Sequence, residues 1–314
     1  MCGRMEKNLI DRINKLKKEK NAVILAHTYQ RPEIYKVADF IGDSYGLSKK
    51  ATETNAEIIV FCGVDFMAES AYILNPDKTV LIPTRLANCP MAAMVDVDGL
   101  LKLKEKHPKA AVMSYVNTTA DVKAESDICC TSANAINVVN SLEAEEVIFV
   151  PDSNLAHYVM NHTNKKIIPW NGWCYVHNKF SPDGLIRAKA RHLNAKVLVH
   201  PECIPAVVDL ADEVFSTTGM INYVRQSPDE KFIIATEIGV IERLKLEFPE
   251  KIFFQAPPGG TCLQMKKTTL DLVLNALEKE QFKVMVPENI MIRAKKALDK
   301  MLNVDGCFGQ TKTY

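Results

Sequence analysis

Three cysteines, Cys89, Cys174 and Cys262, stand 85 and 88 residues apart in a chain of 314, and each is expected in a loop that follows a short apolar strand. Taken singly, a cysteine in such a place is more often a small buried hydrophobe than a ligand. Three at matching positions of a repeated fold change that balance. Thiolates are soft ligands that suit iron–sulfur clusters or zinc. A threefold trio fits three corners of a [4Fe–4S] cube and leaves the fourth iron open, which favours catalysis by a Lewis-acidic iron over simple electron carriage. Zinc is the weaker reading, with Cys174 and His177 as a local pair. The remaining cysteines, Cys2, Cys62, Cys129, Cys130, Cys203 and Cys307, lack the threefold placement.

A second set of polar residues follows the same spacing. His27, Tyr115 and His200 close the first strand of each expected repeat, 88 and 85 residues apart, and each has a polar residue two positions on: Tyr29, Asn117 and Glu202. Residues two apart on a strand share a face, so each pair can reach one cavity. Tyr29 and Glu202 can exchange protons, while His27 and His200 can donate hydrogen bonds or transfer protons. Ser44, Ser132 and Thr217 recur 17 residues after the first set, where a second strand meets a helix. Singly, each reads best as a helix N-cap. Together, three helix starts facing one centre suit a small ligand with several carboxylate or phosphate groups.

These residues need elements to position them. Three segments share one order: Ala22-Val23-Ile24-Leu25, Ala111-Val112-Met113 and Lys196-Val197-Leu198-Val199 open them, and second strands begin at Asp39, Asp127 and Asp212. Third strands follow at Ile58, Val147 and Phe232, and fourth strands at Thr79, Lys166 and Ile252, with helices between. Short apolar strands alternating with helices imply α/β/α units with small parallel sheets and right-handed crossovers. The matched registers make this a triplicated unit. The expected architecture is three pseudo-threefold repeats in a triangle around a central site, since ligands of parallel sheets sit beyond the strands' carboxyl ends. The repeats are expected at 1–108, 109–194 and 195–262. Residues 263–314 complete the first, with helices near Leu270–Leu277 and Ile292–Leu302 packing back on it.

Composition narrows the class. With 47% hydrophobic residues, 25% charged and a net charge of +1, the chain reads as globular, with no basic surface for nucleic acid. The basic run Arg12–Lys20 is expected to be the wet side of a helix whose apolar side carries Leu9, Ile13 and Leu16. No apolar run reaches the ~18 residues that span a bilayer. Nine cysteines without a signal segment suggest a reducing cytoplasm. The tail from Asp305 to Tyr314 is expected to be polar and frayed.

Several segments together carry a family resemblance: Ala26-His27-Thr28-Tyr29-Gln30, Gly42-Asp43-Ser44-Tyr45-Gly46-Leu47-Ser48, Cys62-Gly63-Val64-Asp65-Phe66-Met67-Ala68-Glu69, Cys89-Pro90-Met91-Ala92, Tyr115-Val116-Asn117, Cys174-Tyr175-Val176-His177 and His200-Pro201-Glu202-Cys203. From about Asn21 to Asp271 the chain resembles the quinolinate synthase family. The resemblance implies a [4Fe–4S] cluster on Cys89, Cys174 and Cys262, and the condensation of iminoaspartate with dihydroxyacetone phosphate to quinolinate on the route to NAD. It implies that His27, Ser44, Tyr115, Asn117, Ser132, His200, Glu202 and Thr217 contact substrate, with His177 beside the cluster. Tyr29 and Glu202, assisted by His27 and His200, are the implied proton-transfer groups. Functional coupling to an L-aspartate oxidase or dehydrogenase would supply the iminoaspartate.

Two other classes compete. A hydro-lyase acting on a small hydroxy-acid would use the same open iron. A non-catalytic iron–sulfur sensor needs the cluster but not the His, Tyr and Glu residues around it. A radical mechanism is disfavoured by the absence of a C-x-x-x-C-x-x-C run, and a dinucleotide fold by the absence of G-x-G-x-x-G after a strand.

Overall fold

The computed structural model describes residues 2–304. The tail from Asp305, with Cys307, and the side chain of Cys2 lie outside what it describes. After helix α1 (Cys2–Glu19), the first unit runs β1 (Ala22–His27), α2 (Pro32–Tyr35), β2 (Phe40–Gly42), α3 (Ser44–Glu53), β3 (Ile58–Cys62), α4 (Asp65–Leu74), β4 (Thr79–Leu81), α5 (Val97–Lys106). The second repeats it as β5 (Ala111–Tyr115), α6 (Ala120–Ala124), β6 (Ile128–Cys130), α7 (Ala135–Ser141), β7 (Glu146–Val150), α8 (Ser153–Met160), β8 (Lys166–Pro169), α9 (Pro182–Arg191). The third is β9 (Lys196–Val199), α10 (Pro205–Val208), β10 (Glu213–Val214), α11 (Thr217–Gln226), β11 (Lys231–Ala235), α12 (Ile238–Glu247), β12 (Ile252–Gln255), α13 (Leu270–Lys279), and α14 (Glu288–Leu302) ends the described chain.

Each unit forms a four-stranded parallel sheet in the same order, second–first–third–fourth. The expected α/β class and its three small parallel sheets are therefore present. In this order the sheet is wound one way from the first strand to the second and the other way to the third and fourth, which opens a crevice at the carboxyl ends of the first and third strands. The strands are mainly apolar at their centres because helices cover both faces; every residue of β3 is buried.

The aspartates that begin each second-strand signal have a specific task. Asp39 N–H donates to the Ile24 carbonyl while its carboxylate accepts the Ile24 N–H at 2.8 Å. Asp127 does the same with Val112 and Asp212 with Val197, both carboxylate bonds at 2.7 Å. Second strands of two or three residues cannot pair with the whole first strand, and the carboxylate serves the N–H left over.

The fourth helix of each unit leaves its own sheet. Leu100 of α5 packs with Val112, Ile148 and Val150 of the second sheet. Leu185 and Ala188 of α9 pack with Val197, Val199 and Ile233 of the third. Leu270, Val273, Leu274 and Leu277 of α13, with Ile13 of α1, cover Ile24, Val60 and Leu81 of the first. The three units are thus joined in a ring. Leu9 and Leu16 pack beside Ile13 as the α1 periodicity predicts. The C-terminal expectation holds for α13 but only in part for α14, which packs against α6 and β6 of the second unit as well as α4 of the first. Its apolar stripe, with Ala294, Ala297, Leu298 and Met301 buried, defines a face but not a partner. No described helix is long and apolar enough to cross a membrane.

Removing the aspartate acceptor should cost about 1–3 kcal/mol by leaving a strand N–H unpaired. Asp127→Ala should therefore lower Tm in a thermal melt of the metal-free protein, and Asp127→Asn, which keeps a carbonyl acceptor, should lower it less.

Candidate active site

The ring brings the carboxyl ends of the three sheets onto one enclosed cavity. All thirteen residues picked out by spacing line it: His27, Tyr29, Ser44 and Cys89 from the first unit, Tyr115, Asn117, Ser132, Cys174 and His177 from the second, and His200, Glu202, Thr217 and Cys262 from the third.

The three cysteines lie where the chain passes from one sheet to the helix that covers the next. Each is followed by a 3-10 turn, Ala92–Met94, His177–Lys179 and Met265–Lys267. The backbone N–H three residues on, of Ala92, His177 and Met265, is directed at the preceding sulfur. Burial raises all three thiols, Cys89 to about 12, and the mutual proximity of Cys89 with Cys262 and of Cys174 with Cys89 adds to the effect. Three buried soft donors near one another, each with an N–H pointing at the sulfur, suit a cationic cluster that takes them as thiolates. Cys129 and Cys130 lie in β6, fully buried, as packing residues.

A sulfur of Cys174, a ring nitrogen of His177 and an oxygen of Glu202 also lie within 4.8 Å of one another, close enough for a small ion. Both His177 nitrogens are already used. Nδ1 is 2.7 Å from Glu202 Oε2 and Nε2 is 2.8 Å from Thr236 Oγ1. A zinc ion on His177 would have to break one of these bonds, so the trio is better described as a hydrogen-bonded group beside a thiol.

That group belongs to a longer chain. Thr217 donates to the Tyr29 hydroxyl at 3.1 Å, and Tyr29 lies 3.1 Å from Thr236. Thr236 reaches His177, His177 reaches Glu202, and the Tyr115 hydroxyl donates to the other Glu202 oxygen. The carboxylate can only accept. In the tautomer that donates from Nδ1 to Glu202 and accepts at Nε2 from Thr236, the bonds run one way from Thr217 to Glu202. Burial is the largest influence on Glu202 and acts to raise its pKa. The His177 and His200 rings, with hydrogen bonds from His177 and Tyr115, outweigh it and hold the carboxyl below its ordinary range. Burial and the Glu202 charge push Tyr29 and Tyr115 well above the usual phenol value, so both remain proton donors.

His27 and His200 are matched to each other. The backbone N–H of Tyr29 donates to His27 Nδ1 at 3.0 Å, and that of Glu202 to His200 Nδ1 at 3.3 Å. Each ring thus keeps its proton on Nε2. Burial lowers both to about 3, helped by the charge of Lys266 for His27 and by the neighbouring His177 for His200. They are neutral hydrogen-bond donors. His200 also stacks on His177, with centroids 4.4 Å apart.

Helix capping departs from the sequence reading. Asp43 caps α3 by accepting from Gly46, and Ser216 caps α11 by accepting from Gly219. Ser44 and Thr217 are the first helical residues instead, and their hydroxyls line the cavity. Ser132 stands three residues ahead of α7, because the Asn134 side chain accepts the Thr131 N–H and delays the helix by a turn. Asn117 presents a buried carbonyl oxygen without a partner among the described protein atoms.

Spacing alone missed Thr236 and three acids. Asp65, Asp152 and Glu237 accept the backbone N–H of Cys89, Cys174 and Cys262 respectively. Their positions, 87 and 85 residues apart, carried the same register signal at the ends of the third strands.

A sequence model for the quinolinate synthetase A protein family matches residues 11–303. The chain belongs to the quinolinate synthetase A family. It is 55% identical over 296 residues to quinolinate synthase of Methanosarcina barkeri, covering 94% of this chain and 97% of that one. The relative from Geobacter metallireducens, also named quinolinate synthase, is 53% identical over 292 residues, covering 93% and 96%. That of Methanocaldococcus jannaschii is 50% identical over 307 residues, covering 96% and 100%. Membership of this family agrees with the resemblance read from the motifs, and the match extends through α14.

The neutral burial of His27 and His200 has a pH consequence. Their folded values near 3 lie below the ordinary value of about 6.5. Between the two the unfolded chain binds more protons, so stability is complete above about pH 6.5 and is lost as pH falls toward 3. Two rings give a slope approaching about 2.7 kcal/mol per pH unit. Melts of the metal-free protein at about pH 7, 6 and 5 should show Tm falling stepwise, and His200→Gln should flatten the dependence. An unchanged Tm across that range would contradict neutral burial.

Proposed function

We propose that the chain is a quinolinate synthase that condenses iminoaspartate with dihydroxyacetone phosphate, releasing phosphate and water and feeding NAD biosynthesis. The observation that carries this reading is the meeting of three thiols and ten polar groups from three sheets in one cavity, in a chain of this family. Cys89, Cys174 and Cys262 would hold a [4Fe–4S] cluster. When bound, the cluster supplies an electron-pair acceptor, since three protein thiolates leave one of its four irons without a protein ligand.

The chain's own residues account for the rest. Both substrates are anionic, and the cavity meets them with neutral donors: the Nε2–H groups of His27 and His200 and the hydroxyls of Ser44, Ser132 and Thr217. The unpartnered Asn117 oxygen accepts from a hydroxyl or imine N–H. Condensation and loss of water require protons to leave carbon and return to oxygen. Tyr29 is the donor at the cavity end of the relay. A proton that Tyr29 takes from carbon passes through Thr236 and His177 to Glu202, which becomes neutral, and the reverse passage lets Tyr29 donate it to the leaving oxygen. Tyr115 holds Glu202 in place from the other side. A bare sensor has no use for such a relay, and a simple hydro-lyase has no use for so many anion-binding donors.

Anaerobically prepared protein should be brown with about four iron per chain. Ser in place of Cys89, Cys174 or Cys262 should abolish the colour, whereas Cys130→Ala should keep it. Supplied with dihydroxyacetone phosphate and iminoaspartate generated in situ, the protein should form quinolinate and inorganic phosphate together. Dehydration of a hydroxy-acid with no quinolinate formed would favour the hydro-lyase.

Each cavity hydroxyl that bonds a charged group is worth about 1.5–3 kcal/mol. Ser44→Ala, Ser132→Ala and Thr217→Val should each lower kcat/KM by roughly tenfold to a hundredfold with the cluster spectrum unchanged. Wild-type kinetics in all three would show that the anions bind elsewhere.

A further inference from the structure

Each cysteine loop is held from behind by a carboxylate. The N–H of Cys89 donates to Asp65 Oδ1 at 3.2 Å, that of Cys174 to Asp152 Oδ2 at 3.2 Å, and that of Cys262 to Glu237 Oε1 at 3.1 Å. The acids share one structural position, at the start of the helix that follows the third strand. Asp65 is the first residue of α4, while Asp152 and Glu237 cap α8 and α12.

Helix capping alone does not call for a carboxylate here. Thr119, Ser181, Ser216 and Thr269 cap other helices with a single hydroxyl oxygen. Asp152 and Glu237 divide their two oxygens between two tasks. Asp152 Oδ1 accepts from Leu155 and Oδ2 from Cys174; Glu237 Oε2 accepts from Gly239 and Oε1 from Cys262. Asp65 Oδ1 serves both Phe66 and Cys89. Asp152 and Glu237 are completely buried, a place where a carboxylate is unfavourable unless its bonds are needed. Glu237 has Lys266 at 3.3 Å, and Asp65 lies near the buried Lys123. Around Asp152 the polar contacts are backbone N–H groups of Asn154, Leu155 and Cys174. The arrangement occurs three times, once per thiol, and ties the loop after each fourth strand to the helix start before it.

We propose that Asp65, Asp152 and Glu237 are positioning residues for the three thiols. They fix the cysteine backbones so that the sulfurs converge before iron arrives, and they keep the loops from opening once it is bound. The inference rests on the reading that Cys89, Cys174 and Cys262 hold the cluster.

The test separates tether from cap. Asp152→Ser retains a capping oxygen for α8 but cannot reach Cys174, and Asp65→Ser likewise keeps an oxygen for Phe66 but is too short for Cys89. Both are reconstituted anaerobically as full-length protein beside wild type. Tm is measured on the metal-free forms, and the loaded forms are followed for loss of colour to an iron chelator. With Tm near wild type, both variants should lose the cluster about 10–100-fold faster, the usual effect of removing a group that orients a metal ligand. A lowered Tm with wild-type release would overturn the inference and leave the acids as caps. If Asp152→Ser does not fold, Asp65→Ser decides by the same readouts. Failure of wild type to take up iron would instead overturn the cluster reading beneath it.

Discussion

The structure depends on one packing constraint: no unit covers its own sheet completely. The helix after each fourth strand has its apolar face on the next sheet, and α13 returns to the first. Burial of that face requires the connection to cross from one unit to the next. Each cysteine lies in such a crossing segment. The three thiols meet because the three crossings meet, and the hydrophobic effect thereby sets the geometry of a polar site. The same closure turns the carboxyl ends of all three sheets inward, onto one shared cavity.

The polar groups at those ends bond to one another. Glu202 comes from the third unit, and its partners Tyr115 and His177 from the second. Thr236 of the third unit links His177 to Tyr29 of the first. A buried carboxylate lacking these bonds would be expensive to keep, so the units are held together by the site as well as by the core. The bonds of the site and the packing of the ring therefore depend on each other. A substitution that loosens a junction and one that removes a relay partner should resemble each other in stability while differing in chemistry.

The sequence disclosed those features that repeat. The order of elements along the chain, the threefold trio of cysteines and the strand-end residues were legible because duplication preserved spacing, and because apolar runs bounded by turns read clearly as buried strands. Helix starts were read one residue off at Ser44 and Thr217, since Asp43 and Ser216 are equally good caps and local sequence does not rank neighbours. Ser132 was misplaced by the Asn134 bond, which depends on loop geometry. The packing of α14 was only partly legible because an amphipathic stripe fixes a face and leaves its partner to tertiary structure. Thr236 and the acids behind the cysteines lie after the third strands, a position whose residue types, Val64-Asp65, Pro151-Asp152 and Thr236-Glu237, read as ordinary helix caps until their second oxygen is followed across the loop.

The electrostatic character of the cavity bears on the proposed chemistry. A polyanionic ligand is commonly met by arginine and lysine, yet neither is among the described residues that line this cavity. Its donors are neutral: hydroxyls, two helix starts and two histidines whose second nitrogen is occupied by a backbone N–H. Dipoles fixed by the fold stabilise developing negative charge without reorganising, which favours a transition state over a bound ground state. A fixed cation would instead hold both anionic substrates and the dicarboxylate product in strong ion pairs. The proposed cluster would then be the main positive centre, placed at one end where the bonds change, with Glu202 as the fixed negative one at the far end of the relay. On this reading the protein separates two tasks. Neutral groups hold and align the substrates, and the charged centres act only where electrons and protons move.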